Sequence, residues 1–228
     1  MPASPPELTA PESAVLEDEV NGSVAAAPAA EAPAARKRPK PGERRVQILQ
    51  TLASMLEAPG ADRITTAALA AKLSVSEAAL YRHFASKAQM FEGLLEFIET
   101  SIFTLVNQII ERDASGQQQA QKIVAVLLQF GERNPGMTRV MVGDALVYEN
   151  ERLVARMNQF FDRIESSLRQ VLRSAAEARG SATPTVEANA HASVLLSFVV
   201  GRLQRYARSG FKRMPTEQLE YSLKLLVA

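Results

Sequence analysis

The chain has 228 residues, with 26 Lys and Arg against 25 Asp and Glu, a formal net charge of +1, no Cys, no Trp and two His. That length can bury a core without covalent staples, and the missing cysteines exclude a disulfide framework, thiolate zinc sites and cysteine nucleophiles. His83 and His191 stand 108 residues apart, and neither has a metal-ligand spacing beside it.

The near-zero total hides a segregation of charge. Residues 1–35 carry six acids (Glu7, Glu12, Glu17, Asp18, Glu19, Glu31) and no Lys or Arg, whereas residues 36–88 carry ten Lys or Arg against four acids. The remainder holds sixteen against fifteen. A basic segment inside a neutral protein is how an electrostatic footprint for nucleic acid looks in sequence, although basic segments also serve membrane surfaces and plain solubility. Residues 1–41 also hold eight of the twelve prolines, and the first 35 positions hold eleven alanines. So few large apolar groups cannot offset the entropy of ordering, so 1–42 reads as a disordered tail, acidic and then basic. Val15, Leu16 and Val20 form a weak candidate binding motif within it. No apolar run approaches the roughly 20 residues of a bilayer span, and the N-terminus is acidic where a secretory signal is basic. The expectation is a cytoplasmic protein with no membrane partner.

From Glu43 onward the apolar residues take helical spacing. Val46, Leu49, Leu52, Ala53 and Leu56 make one stripe, stopped by Ala58-Pro59-Gly60. Thr65 is placed to cap a short helix from Thr66 to Lys72. After Ser74-Val75-Ser76 a third helix runs from Glu77 to Phe84, with Ser76 as its cap and Glu77 in the first turn. Ser86-Lys-Ala-Gln89 fits a capping box that opens a long helix with Phe91, Leu94, Leu95, Ile98, Ile102, Leu105, Val106 and Ile109 along one seam. Gln117 to Arg133 is helical, and Asn134-Pro135 reads as an N-cap followed by proline at the first helical position. A further seam runs through Leu153, Met157, Phe160, Phe161, Ile164, Leu168, Val171 and Leu172, and the stretch Val194 to Val200 is apolar nearly all round, which implies burial on more than one side. Met137 and Met141 fall at core spacing. Nothing alternates with period two, so the fold class is all-α.

Two short helices separated by a tight turn, after a first helix, are the arrangement of a helix-turn-helix DNA reader. Ala78 and Ala79 would let the recognition helix approach the major groove closely. Leu80 and Phe84 should face the core, leaving Tyr81, Arg82 and His83 outward near phosphates. Thr65, Ser76 and Lys87 sit at helix starts, where main-chain N–H groups favour anions, and Thr66 and Glu77 beside them complete the candidate DNA-binding set. The competing reading of the same residues is an ordinary helical hairpin with a solvated polar face. An enzyme is not expected: the sequence has no Gly-rich phosphate loop, no paired His and no nucleophile elbow.

Arg63-Ile-Thr-Thr66, Leu69-Ala-Ala-Lys-Leu73, Val75-Ser76 and Leu80-Tyr-Arg-His-Phe84 followed by Ser86-Lys87 resemble the DNA-binding domain of TetR-family regulators. Ser74 stands where that family usually has glycine. Ser76 to Phe84, Met90-Phe91, Glu96 to Glu99 and Phe130-Gly-Glu-Arg-Asn-Pro-Gly136 resemble the nucleoid occlusion branch of the family. The resemblance implies a helix-turn-helix domain over 43–90 and a helical dimerisation and partner-binding domain over 91–228. It implies a nucleoid-associated homodimer on double-stranded DNA that inhibits septum assembly by acting on the tubulin-like GTPase FtsZ. It also implies a groove between the fourth and fifth helices for the FtsZ C-terminal tail, with Phe97, Arg133 and Asn134 at matching positions. Leu105 and Gln129 replace the Arg and Gly seen there in other members. No cofactor, metal or small-molecule ligand is expected. The alternative is a ligand-responsive TetR-type repressor, in which an effector in the larger domain changes the spacing of two readers.

The run Arg36, Lys37, Arg38 and Lys40 precedes the first helix and should act as a basic arm on the phosphate backbone. Deleting residues 1–41 is expected to flatten the dependence of log K on log salt by about 0.9 per lost phosphate contact, with sequence preference unchanged. DNA titrations of both forms at several salt concentrations measure this slope.

Overall fold

The computed structural model describes residues 42–58, 63–113 and 115–227. The expected tail, apart from Gly42 at the start of α1, and the helix stop at Pro59-Gly60 lie outside the described residues. Among those described, every regular element is helical: α1 (Glu43–Leu56), α2 (Thr66–Lys72), α3 (Glu77–Tyr81), α4 (Lys87–Arg112), α5 (Gly116–Arg133), α6 (Pro135–Met141), a 3-10 turn (Asp144–Leu146), α7 (Glu151–Ala178), α8 (Pro184–Arg208) and α9 (Leu219–Leu226).

Helix starts fall where a short side chain can satisfy an orphaned main-chain donor. Thr65 Oγ1 accepts from the Ala68 N–H at 3.1 Å, Ser76 Oγ from Ala79 at 3.2 Å and Ser86 Oγ from Gln89 at 3.2 Å. The return half of the expected box is shifted by one residue, because Gln89 Oε1 accepts from the Ala85 N–H at 2.8 Å instead of from Ser86.

Three expectations are corrected. The buried face of α1 is Ile48, Thr51, Leu52, Ala53 and Leu56, and Val46 is half exposed, so the true stripe is rotated from the one read in sequence. Helix α3 ends at Tyr81, three residues early. The N–H groups of His83 and Phe84 both turn back to the Leu80 carbonyl, while Arg45 of α1 donates to the His83 carbonyl and lies 4.1 Å over the Phe84 ring. Asn134 is not a side-chain N-cap for α6. It is buried, and its Nδ2 donates to the Phe130 carbonyl at 2.9 Å, closing α5.

The seam of α7 is as expected and that of α4 nearly so: Met90, Phe91, Leu94, Leu95, Ile98, Ile102 and Val106 share one core with Leu153, Met157, Phe160, Ile164 and Leu168. Ile109 packs at its edge, and Leu105, expected in the seam, is only half-buried and stands off it. Helix α4 is long and apolar enough in composition to cross a membrane, although no run in the sequence suggests a span. Here it is a packed element, with its buried seam on the core and its polar side on α7. Arg156 holds Glu99 in a two-pronged pair at 2.9 and 2.7 Å, and Arg152 holds Glu92 at 2.6 Å. In α8, Leu195 and Val199 are buried while Val194 is 50% exposed, so the apolar stretch covers one face within the chain and leaves another open.

The junction of the first helices with the rest is made by main chain. A Cβ at Gly136 would lie 2.1 Å from the Ala53 carbonyl oxygen, so α6 touches α1 only because that atom is missing. One turn earlier a Cβ at Gly131 would meet Leu203 of α8 at 2.4 Å. Thr138 Oγ1 donates to the Gly131 carbonyl at 2.8 Å, and Tyr206 Oη to the Glu132 carbonyl at 3.2 Å. Burial pushes the Glu57 carboxyl at the end of α1 above the usual range, and a hydrogen bond from the Gly136 N–H partly draws it back. The Phe130-to-Gly136 string is therefore a packing hub for α1, α5, α6 and α8.

Ser74 adopts φ 54°, the left-handed geometry that favours glycine. Ser74→Gly is expected to stabilise the chain by about 1 kcal/mol. Gly136→Ala is expected to destabilise it by about 1–3 kcal/mol, because α6 must back away from α1. Calorimetry should show melting shifts of opposite sign, roughly 2–4 °C per kcal/mol for a chain of this size.

Candidate nucleic-acid interface

The tight turn between α2 and α3 is set locally. The αL residue Ser74 reverses the chain, and the Val75 N–H closes on the Ala70 carbonyl at 3.0 Å. Leu69 and Leu80 anchor the two helices in the core, each 1% exposed, which fixes what points outward. Thr66 Oγ1 donates to Glu77 Oε2 at 2.6 Å, tying the start of α2 to the start of α3.

On the outward side lie Thr65, Ser76, Glu77, Ala78, Tyr81 and Arg82, all exposed, with Thr66 half-buried beside Glu77. Ala79 is half-buried and His83 is half-buried. The exposed face of α3 thus combines one small side chain with a phenol and a guanidinium one turn further on. A helix of that shape can lie close to base edges while its long groups reach phosphates.

Lys87 is not free. Its ammonium pairs with Glu149, just before α7, and the two side chains keep only 23% and 9% of their exposure. It therefore joins the reader to the larger body, and its ammonium also lies 5.6 Å over the Phe91 ring. Two further cations border this face that the sequence reading did not single out. Arg45 clamps the end of α3, and Arg63 is exposed two residues before Thr65. A cation next to a helix start signals Arg63; nothing local could signal Arg45, whose partner lies 38 residues away.

The residues assigned to a partner groove sit elsewhere. Phe97 on α4 is half-buried, its ring 6.1 Å from that of Phe130 on α5. Arg133, one turn beyond Phe130, is exposed in the last turn of α5, and Asn134 is buried behind it. Met137 and Met141 are core residues. Among the described residues no group of His, Asp or Glu is arranged to hold a metal ion.

Comparison with known proteins follows this division. Residues 48–94 match the family model of bacterial regulatory proteins of the tetR family, and residues 117–228 match an SlmA-like model described as a tetracyclin repressor-like C-terminal domain. The chain is 51% identical over 190 residues to the nucleoid occlusion factor SlmA of Photobacterium profundum, covering 83% of this chain and 96% of that one. The SlmA of Vibrio vulnificus is 52% identical over the same shares, and that of Salmonella paratyphi B is 49% identical over 85% of this chain and 98% of its own. Among solved structures, the fatty acid degradation regulator FadR of Bacillus halodurans superposes with a TM-score of 0.67 at 12% identity, covering 83% of this chain and 97% of its own. The ketosteroid regulator KstR2 of Mycobacterium tuberculosis gives 0.64 at 19%, covering 82% and 94%. These two are likenesses of fold.

Thr65 and Tyr81 are separable by experiment. Tyr81→Phe removes one hydroxyl from an exposed side chain and should weaken DNA binding about tenfold or more, the worth of a hydrogen bond to a charged group, without moving the melting temperature. Thr65→Ala should weaken binding and also lower stability by about 0.5–2 kcal/mol, since its Oγ1 caps α2. A titration at fixed salt beside a thermal melt distinguishes the two.

Proposed function

This chain belongs to the TetR family of bacterial regulatory proteins, among its nucleoid occlusion factors, and from that membership we propose that it binds specific chromosomal sites as a homodimer and, once on DNA, inhibits septum assembly by acting on FtsZ. The observation that carries the reading is half identity with SlmA proteins along almost their whole length. On this reading the exposed face of α2 and α3 meets operator DNA, and the protein is a regulator resident on the nucleoid.

Dimerisation is supported by the face that α8 leaves open. Val186 and Val194, eight residues apart on one side of α8, are 67% and 50% exposed, so that helix leaves an apolar stripe open. Gly201, inside α8, has nothing within 4 Å of where its Cβ would be. Glycine there costs the helix about 1 kcal/mol relative to alanine with no return inside the chain. With Ala190, Ser193 and Ser197 on the same side of α8, it gives a symmetry mate room for close helix-on-helix packing. Two readers held by such an interface are about 34–36 Å apart, one turn of DNA.

The FtsZ tail is assigned to the groove between α4 and α5. Phe97, resting on Phe130, offers half a ring, and Arg133 offers a guanidinium for which no ion pair is formed among the described residues. Asn134 acts as a positioning group, since its amide fixes the end of α5 on which Arg133 stands. An aromatic and an arginine at one site are the anchors that extended or helical peptides use.

Arg133→Glu is expected to lower association with FtsZ at least tenfold while leaving dimerisation and operator affinity unchanged, as read by FtsZ co-sedimentation with and without operator DNA. An unchanged association, together with release of the wild-type protein from DNA by a small molecule, would instead establish the ligand-responsive repressor.

A further inference from the structure

Beyond α8 the chain builds a cleft of about 500 Å³ lined by Arg202, Arg205, Lys212, Arg213, Met214 and Glu217. Four cations face one carboxylate. Arg202 lies 5.0 Å over the Phe198 ring and bonds Ser222 Oγ at 3.2 Å, while Arg205, Lys212, Arg213 and Glu217 form no ion pair among the described residues. Arg205 complements the helix dipole at the end of α8, but Lys212 and Arg213 stand past the helix and have no such role. They are held in place nonetheless. Ser209 Oγ accepts from both of their main-chain N–H groups, at 3.0 and 2.9 Å, and Phe211, in the left-handed region at φ 63°, is pinned by Tyr206 at 5.1 Å. The turn that carries the cations is thus fixed, and its mouth includes the exposed thioether of Met214.

The same chain carries a complement that neither the fold nor the proposed function uses. Residues 12–20, Glu-Ser-Ala-Val-Leu-Glu-Asp-Glu-Val, hold four of the six acids of residues 1–35, interleaved with Val15, Leu16 and Val20. The family models begin at residue 48, so this segment lies outside both of them. We propose that the acidic segment 12–20 of this chain docks in the basic cleft, with Glu17, Asp18 and Glu19 paired to Arg205, Lys212 and Arg213, and with Leu16 against Met214. More than twenty residues separate Glu19 from Gly42, a tether that reaches roughly 70 Å when extended at about 3.3 Å per residue. Each exposed ion pair is worth only about 0–1 kcal/mol, but a tethered partner is present at an effective concentration of order millimolar, so a weak site is occupied. The interaction must weaken with salt, because Arg205, Lys212 and Arg213 are exposed.

Because the chain has no Cys, Ser13→Cys accepts a single nitroxide label in the full-length protein. Paramagnetic broadening should fall on the amides of residues 205–217, reducing their intensity by at least half, and should fade in about 0.5 M salt. Arg205→Glu with Arg213→Glu should abolish it, and adding Glu17→Arg with Glu19→Arg to that variant should restore it. Broadening centred on Arg45, Arg63 and Arg82 would overturn the assignment in favour of a tail lying on the reader. Uniform or absent broadening, or loss without rescue in the charge-swapped chain, would also overturn it.

Discussion

The missing Cβ of Gly136 is the constraint on which the arrangement of this protein turns. Main chain of α6 rests on main chain of α1 at a distance that leaves no room for a methyl group. Through that contact the reader is fixed to the body by backbone, the least deformable part of either helix. The surrounding groups reinforce it. The Gly136 N–H reaches the Glu57 carboxyl, Asn134 closes α5 behind it, and Gly131 brings α5 onto Leu203 of α8. The charge of Glu132, then that of Glu57, adds to burial in raising the Tyr206 phenol above its ordinary range, so the ends of α1, α5 and α8 meet at one point. A string that looks like a partner motif in sequence is first a joint.

Attachment by a rigid joint matters for a DNA-binding dimer. The separation of two recognition helices must match the helical repeat of DNA, and any play at the joint is lost affinity. The ion pairs between α4 and α7, and the Lys87–Glu149 pair across the two parts, act in the same sense. Each is modest alone, since most of these side chains keep some solvent, but together they set the rotation of α4 against α7. Lys87 shows how a residue that reads as a phosphate contact in sequence can be committed within the protein.

The reader itself combines local strain with tertiary support. Ser74 holds a backbone geometry that serine disfavours, and Arg45 from another helix cuts α3 short by taking the His83 carbonyl. The short α3 brings Phe84 down into the core and leaves Tyr81 and Arg82 at the rim. Shape and charge at this surface therefore depend on α1 as much as on the helix-turn-helix.

Much of this was legible in the amino-acid sequence. Caps at Thr65, Ser76 and Ser86, the seams of α4 and α7, the inward Leu80 and Phe84 and the all-α class follow from hydrogen-bond supply and 3.6-residue periodicity, which act over a few residues. The outward face of α3 follows from the same rules. What only the tertiary structure decided are the relations between distant residues. The rotation of α1, which buries Ile48 and exposes Val46, is chosen by where α4 and α6 lie. The end of α3 depends on Arg45, the occupation of Lys87 on Glu149, and the role of Asn134 on which of two helices needs its amide. The requirement for glycine at 131 and 136 comes from neighbours on α8 and α1. Periodicity states that a helix has a buried side, but burial is shared among alternatives of similar area, and the choice falls to contacts between side chains that only the folded chain brings within reach.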